Sequence, residues 1–197
     1  MGMLMVATQK EKMADGTYKS RPGQFRGNYQ NKDATQNLIH YVTRTGDRED
    51  RKSELISWGV IGAYDCLPME TIIHIFEQVQ IIGRENRKMG PKMFHEIYVC
   101  DERQMRFFLH RLDLLQQFAY MAARIYYDRG FQVVYAAHME PNDPEKMMHI
   151  HFAVNAVCYI DGKKWHTNLN EDQREREAAM NSVYESLLQV VCPIRLI

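Results

Sequence analysis

Nowhere in the 197-residue chain is there an apolar run near the ~20 residues that a membrane-spanning helix needs. The opening segment, Met1 to Thr8, is too short for a signal-peptide core, and no small-residue cleavage site follows it. A cytoplasmic location is the resulting expectation. The four cysteines (Cys66, Cys100, Cys158 and Cys192) form no CxxC pair, which excludes a zinc ribbon or a dithiol redox motif and predicts reduced, mostly buried thiols. An excess of one charge is also missing. Lys and Arg number 25, Asp and Glu number 25, and the net charge is zero, which argues against bulk coating of a polyanion. No internal repeat and no low-complexity tract occurs, so solenoids and arrays are excluded. What is left is an ordinary globular composition, 45% hydrophobic and 25% charged, of a length that fits one domain spanning residues 1–197.

Charge is neutral in sum but uneven in distribution. Residues 1–32 carry Lys10, Lys12, Lys19, Arg21, Arg26 and Lys32 against Glu11 and Asp15, with Tyr18, Phe25 and Tyr29 interleaved. Cations for phosphates and rings for bases suit a single nucleic-acid strand. The same composition also fits a solvated lead-in.

Hydrophobic spacing gives the coarse architecture. Met3–Thr8 reads as a first strand and 9–32, with Gly16, Pro22, Gly23 and Gly27, as a long loop. Asp33 is placed to cap a helix through Arg44, closed by Gly46. Ile56–Ala63 is a short strand or buried turn, and Met69–Gly83 is helical after Pro68. Met93–Cys100 alternates, with Phe94, Glu96 and Tyr98 on one face and His95, Ile97 and Val99 on the other. Arg103–Asp128 reads as one long helix ended by Gly130. Phe131–His138 and His149–Cys158 are strands, Asp161-Gly162 marks a hairpin turn, and Asn170–Gln189 is an amphipathic helix. This mixture predicts an α+β fold in which helices cover an antiparallel sheet.

Chemistry concentrates in the histidines. His149 and His151 are two apart on a strand and so face the same way. His138 ends the preceding strand, and the connection Met139–Met148 contains two prolines. If the strands pair, three imidazoles converge. Few arrangements other than a cation site justify that, and three protein ligands leave positions open for substrate. His40, His74, His95, His110 and His166 are isolated and read as structural. The ligands alone do not choose the chemistry: zinc hydrolases also use three histidines, whereas a transesterase needs a protein nucleophile as well.

The segments Val134-Tyr135-Ala136-Ala137-His138-Met139-Glu140, His149-Ile150-His151-Phe152-Ala153-Val154-Asn155 and Asp161-Gly162-Lys163-Lys164 resemble the metal-binding motif of conjugative relaxases, the mobilisation nucleases of the HUH endonuclease superfamily. Asn37-Leu38-Ile39-His40-Tyr41-Val42-Thr43-Arg44 resembles their N-terminal motif, with a helical tyrosine ahead of a basic residue. The order, tyrosine before histidines, is the relaxase order. The resemblance implies a relaxase-like, ferredoxin-like or palm-type α+β domain. His138, His149 and His151 would hold Mg²⁺ or Mn²⁺. Tyr41 would attack the scissile phosphate to form a 5′-phosphotyrosyl link. Glu140 would orient a ligand or take the tyrosine proton. Lys19, Arg21, Arg26, Arg44 and Asn155 are the candidate DNA contacts. The implied partner is single-stranded DNA at an origin of transfer, with a hairpin and other relaxosome proteins as further expectations, in the mobilisation of a plasmid or mobile element.

A phenol, with an ordinary pKa near ~10, is a weak nucleophile at neutral pH. Tyr41 is therefore useful only if its helix packs over the histidine face. Tyr18, Tyr29 and His40 are rival nucleophiles. Two other classes stay open: a metal-dependent phosphodiesterase using water, and a non-catalytic DNA-binding remnant of the fold.

Overall fold

A computed structural model describes residues 1–6, 10–12, 18–20, 32–84, 91–139, 147–165 and 169–191. Its centre is a five-stranded sheet built from β1 (Met3–Val6), β4 (Leu55–Ile61), β5 (Met93–Val99), β6 (Phe131–His138) and β7 (His149–Cys158). The order is β1-β5-β7-β6-β4, and every neighbouring pair is antiparallel. Within the region expected to be one loop, β2 (Lys10–Lys12) and β3 (Tyr18–Ser20) pair as a separate two-stranded ribbon.

Strand alternation sorts the core into two layers. On one face Val134, Ala136, Ala153 and Met93 pack against α1 (Ala34–Thr43) and α2 (Met69–Arg84) through Leu38, Ile39, Val42, Ile72, Ile73 and Phe76. On the other, Val133, Tyr135, Ala137, Ile150, Phe152, Val154 and Tyr98 meet α3 (Glu102–Leu109), α4 (Leu112–Tyr127) and α5 (Leu169–Val191). Both central strands are buried from end to end apart from half-exposed His149, and each reads as a nearly continuous apolar run. The expected α+β architecture is present, with helices on both faces.

Local differences from the sequence reading have physical causes. The helix expected over Arg103–Asp128 is two helices, because Arg111 leaves the helical region at φ −145°, ψ 70°. The break has a packing reason. Ten residues along a straight helix separate side chains by ~15 Å, whereas Phe108 and Phe118 lie 5.3 Å apart, centre to centre, in the same core. The first of the two helices starts on a capping box: Asp101 accepts from the Gln104 amide at 2.8 Å while the Gln104 side chain accepts from the Asp101 amide. Asp33 makes no side-chain cap, and α1 ends on Arg44 in the left-handed region (φ 53°) ahead of Gly46. The charged stretch after α1 forms a 3-10 segment, Gly46–Glu54. Gly130 turns α4 into β6 at φ 90°, where a Cβ would sit 2.5 Å from Cys158 Sγ. The Asp161-Gly162 turn forms as expected, closed by a bridge between Val157 and Lys164. Cys100 and Cys158 are buried thiols but Cys66 is exposed, and Cys192 lies outside the described residues.

Candidate active site

The register of β6 against β7 decides the site. His138 stands directly opposite His149, and Ala136 directly opposite His151. Directly opposed residues share a face, so all three imidazoles project into the α1/α2 layer. Ala136 leaves room beside His151, and the His138 and His151 rings close to 4.5 Å between centres. His149 lies 4.8 Å from His151 and 5.6 Å from His138. One nitrogen from each ring falls within 4.8 Å of the others.

Each ring is anchored through one nitrogen. His138 Nε2 donates to the Val42 carbonyl at 2.7 Å. That carbonyl belongs to the last turn of α1, where helical carbonyls lack partners within the helix. His149 Nδ1 donates to the Met147 carbonyl at 2.9 Å. His151 Nδ1 lies 2.8 Å from His95 Nε2. The opposite nitrogens of the two buried rings, His138 Nδ1 and His151 Nε2, have no hydrogen-bond partner although both are buried. An unpaired buried polar atom costs about 1–3 kcal/mol. Burial pushes His138 and His95 down to about 3 and His151 well below the usual imidazole range, with neighbouring histidines and Arg44 adding to the effect. Two buried imidazoles kept neutral, with a third beside them and one nitrogen of each within 4.8 Å of the others, are a donor set a divalent cation can take.

Tyr41 is a partly buried residue of the same layer. Its ring meets His151 edge-on at 5.6 Å and His95 at 5.7 Å, close to perpendicular to both. The Arg44 guanidinium sits 4.7 Å from the Tyr41 ring centre and also donates to the Tyr41 carbonyl. Arg44 is only 3% exposed, and Glu54 balances its charge at 2.9 Å. The neighbouring His40 faces elsewhere: Nδ1 is 2.7 Å from Thr45 Oγ1, and Nε2 is 3.5 Å from Glu70.

A scan against protein families matches residues 30–186 to the relaxase nuclease domain of the MobA/VirD2-like type. The match covers Tyr41, all three histidines and four of the five sheet strands. The chain belongs to the relaxase family. Comparison with curated proteins gives no match. Membership assigns a DNA-nicking nuclease domain, in a metal-dependent family that binds single-stranded DNA. Among the described residues of this relaxase, no helix is long and apolar enough to cross a membrane.

The structure thus brings Tyr41, Arg44, His138, His149 and His151 together. Asn155 is placed differently. It is fully buried further along β7, donating to the Phe76 carbonyl at 3.0 Å and to Gln132 Oε1 at 2.9 Å, while its own Oδ1 accepts from the Val157 amide. It ties α2 to the sheet. Glu140, Arg21 and Arg26, with Glu145 and Lys146 of the inter-histidine loop, lie outside the described residues, and Lys19 is described only as backbone in β3. Sequence reasoning missed His95 and the Arg44–Glu54 pair. The alternation of β5 did put His95 opposite Glu96, but which face met the histidines depended on strand register.

Proposed function

We propose that this relaxase nicks and rejoins one DNA strand by transesterification through Tyr41, with His138, His149 and His151 as ligands of a single Mg²⁺ or Mn²⁺. The observation that carries the reading is the Tyr41 ring standing against His151 within a cluster of three histidines that offer one nitrogen each within 4.8 Å of one another, His138 Nδ1 and His151 Nε2 being buried without a partner. The two buried nitrogens without a partner fit a cation, and His149 completes the set of three whose ligand atoms lie within 4.8 Å of one another. When bound, such a cation polarises the scissile phosphate and offsets charge that builds on it.

The chain's own residues do the rest. The Tyr41 oxygen attacks phosphorus, the new P–O bond replaces the bond to the 3′ oxygen, and the strand leaves with a free 3′-OH. One ester is exchanged for another, so the reverse attack reseals the strand. Glu140, two residues beyond His138, takes the phenol proton while the leaving 3′ oxygen takes one from water, and both transfers reverse on resealing. Arg44 sets the ring: its guanidinium lies over one face, its carbonyl contact fixes the last turn of α1, and Glu54 keeps the charge compensated. Lys19, Arg21 and Arg26 hold phosphates flanking the nick, Arg44 serves from the site wall, and Asn155 acts indirectly by seating α2 on β7. Residues 1–197 act as one catalytic domain, a reading supported by β1 and α5 sharing one core through Leu4, Met180 and Tyr184.

The test is incubation with single-stranded oligonucleotides from DNA neighbouring the coding sequence, in the presence and absence of Mn²⁺, resolved on a denaturing protein gel. A metal-dependent shift of the protein band that Tyr41→Phe abolishes is expected. Cleavage with free 5′ ends points instead to a water-using phosphodiesterase, and metal-stabilised protein without cleavage to a binding module.

A further inference from the structure

His95 is absent from the sequence-level ligand set, yet it is the buried group that touches both halves of the site. It is 5% exposed. Its Nε2 lies 2.8 Å from His151 Nδ1, the two rings stack at 5.0 Å and 29°, and Tyr41 closes over both. Register explains the placement. On β7, Ala153 separates His95 from a direct cross-strand partner imidazole, and His151 is the diagonal neighbour, within reach of a long planar side chain.

Two neutral imidazoles joined by one hydrogen bond have two arrangements. In the first, His151 Nδ1–H donates to His95 Nε2, and the lone pair of His151 sits on Nε2, facing His138 and His149. In the second, His95 donates, and His151 carries its proton on Nε2. That proton would be buried without a partner, since His151 Nε2 makes no hydrogen bond, and the ring could not bind a cation. An unpaired buried donor is costly, so the first arrangement is favoured before any ligand arrives. We propose that His95 is a positioning residue that accepts the Nδ1–H of His151 and thereby selects the ligating tautomer. This rests on His151 being a ligand, as proposed above.

The choice of an imidazole for this task has a consequence. Ligand histidines are commonly backed by a carboxylate. For His151 that place is taken by His95. The backing group at His151 is thus a neutral acceptor, not a carboxylate.

His95→Phe keeps a ring of similar size against Tyr41 but removes the acceptor, and His95→Gln restores an acceptor near the Nε2 position. Calorimetric titration of the whole chain with Mn²⁺ alone is expected to give one site in the wild type. Affinity should fall about 10- to 100-fold in His95→Phe and recover to within a few-fold in His95→Gln. Nitrogen-15 spectra of the metal-free wild type should show His151 protonated at Nδ1, a readout independent of metal loading and of any variant's folding. Unchanged Mn²⁺ affinity in a folded His95→Phe, no recovery in His95→Gln, or His151 protonated at Nε2 in the wild type would each overturn the proposal. Absence of Mn²⁺ binding by a wild type whose His151 is protonated at Nδ1 would instead contradict the metal-site reading while leaving the tautomer assignment in place.

Discussion

His95 and Glu96 are consecutive residues of β5, and alternation sends them into opposite layers of the molecule. Each anchors a buried polar cluster. Behind the sheet, Glu96 accepts from Arg176 Nε at 3.0 Å and from Tyr126 Oη at 2.6 Å, and Arg176 also lies 4.8 Å from the Trp165 ring centre. Arg176 is completely buried. One of its nitrogens, Nη1, has no partner, but the carboxylate neutralises its charge. That cluster is closed: anion, cation and phenol answer one another. In front, His95 joins three further imidazoles, and two of their nitrogens, His138 Nδ1 and His151 Nε2, are buried without a partner. The contrast teaches how to separate two kinds of buried polarity. A cluster whose charges cancel within the protein pins α4 and α5 to the sheet. One that leaves buried ring nitrogens unpaired among the described residues can take a ligand.

The largest effect expected from breaking this contrast lies behind the sheet. Arg176→Met leaves Glu96 as an uncompensated buried charge and should lower the unfolding free energy by about 3–5 kcal/mol, measured by urea denaturation. The Arg176→Met, Glu96→Leu double variant should recover much of that loss, and a double variant less stable than the single would show that the pair is not the closed unit described. Next comes ligand linkage in front. Mn²⁺ at about 100 times its dissociation constant should stabilise the folded chain by about 2.7 kcal/mol, seen as a rise in Tm that chelation reverses. The same addition should give no rise in His151→Ala, and an equal rise there would move the metal elsewhere. His138→Ala, without metal, should cost only about 1–2 kcal/mol, mainly the bond to the Val42 carbonyl. A larger loss would make the front cluster as structural as the rear one. Smallest is Asp101→Ala, which removes the cap of α3 at a cost of about 1 kcal/mol and should leave Mn²⁺ affinity unchanged.

Much of this organisation could be read from the residues. β6 and β7 carry β-branched and aromatic residues between clear stop signals, and their ends at His138, His149 and Cys158 agree with the expected ones. The convergence of the three histidines followed from period-two alternation plus an assumed pairing, which the register bears out. Tyr41 met the condition set for it, since α1 packs on the histidine face. What spacing could not reveal depends on long-range placement. The break at Arg111 comes from folding two apolar stripes into one core, not from a strong local breaker. The burial of Arg44 depends on Glu54 arriving from a separate segment ten residues on. The distinction between His95 and Glu96 needed the order of strands, because alternation says only that they differ.

The account turns on Tyr41 as the atom that becomes bonded to DNA. Trypsin cleavage after Lys32 and Arg44 releases a peptide, 33–44, that contains Tyr41 and the rival His40 and no other tyrosine. After Mn²⁺-dependent reaction with single-stranded DNA and nuclease trimming, mass spectrometry should find a residual nucleotide on this peptide, stable to acid and localised by fragmentation to Tyr41. An acid-labile adduct on His40, an adduct on the peptides bearing Tyr18 or Tyr29, or strand cleavage that leaves peptide 33–44 unmodified would contradict it.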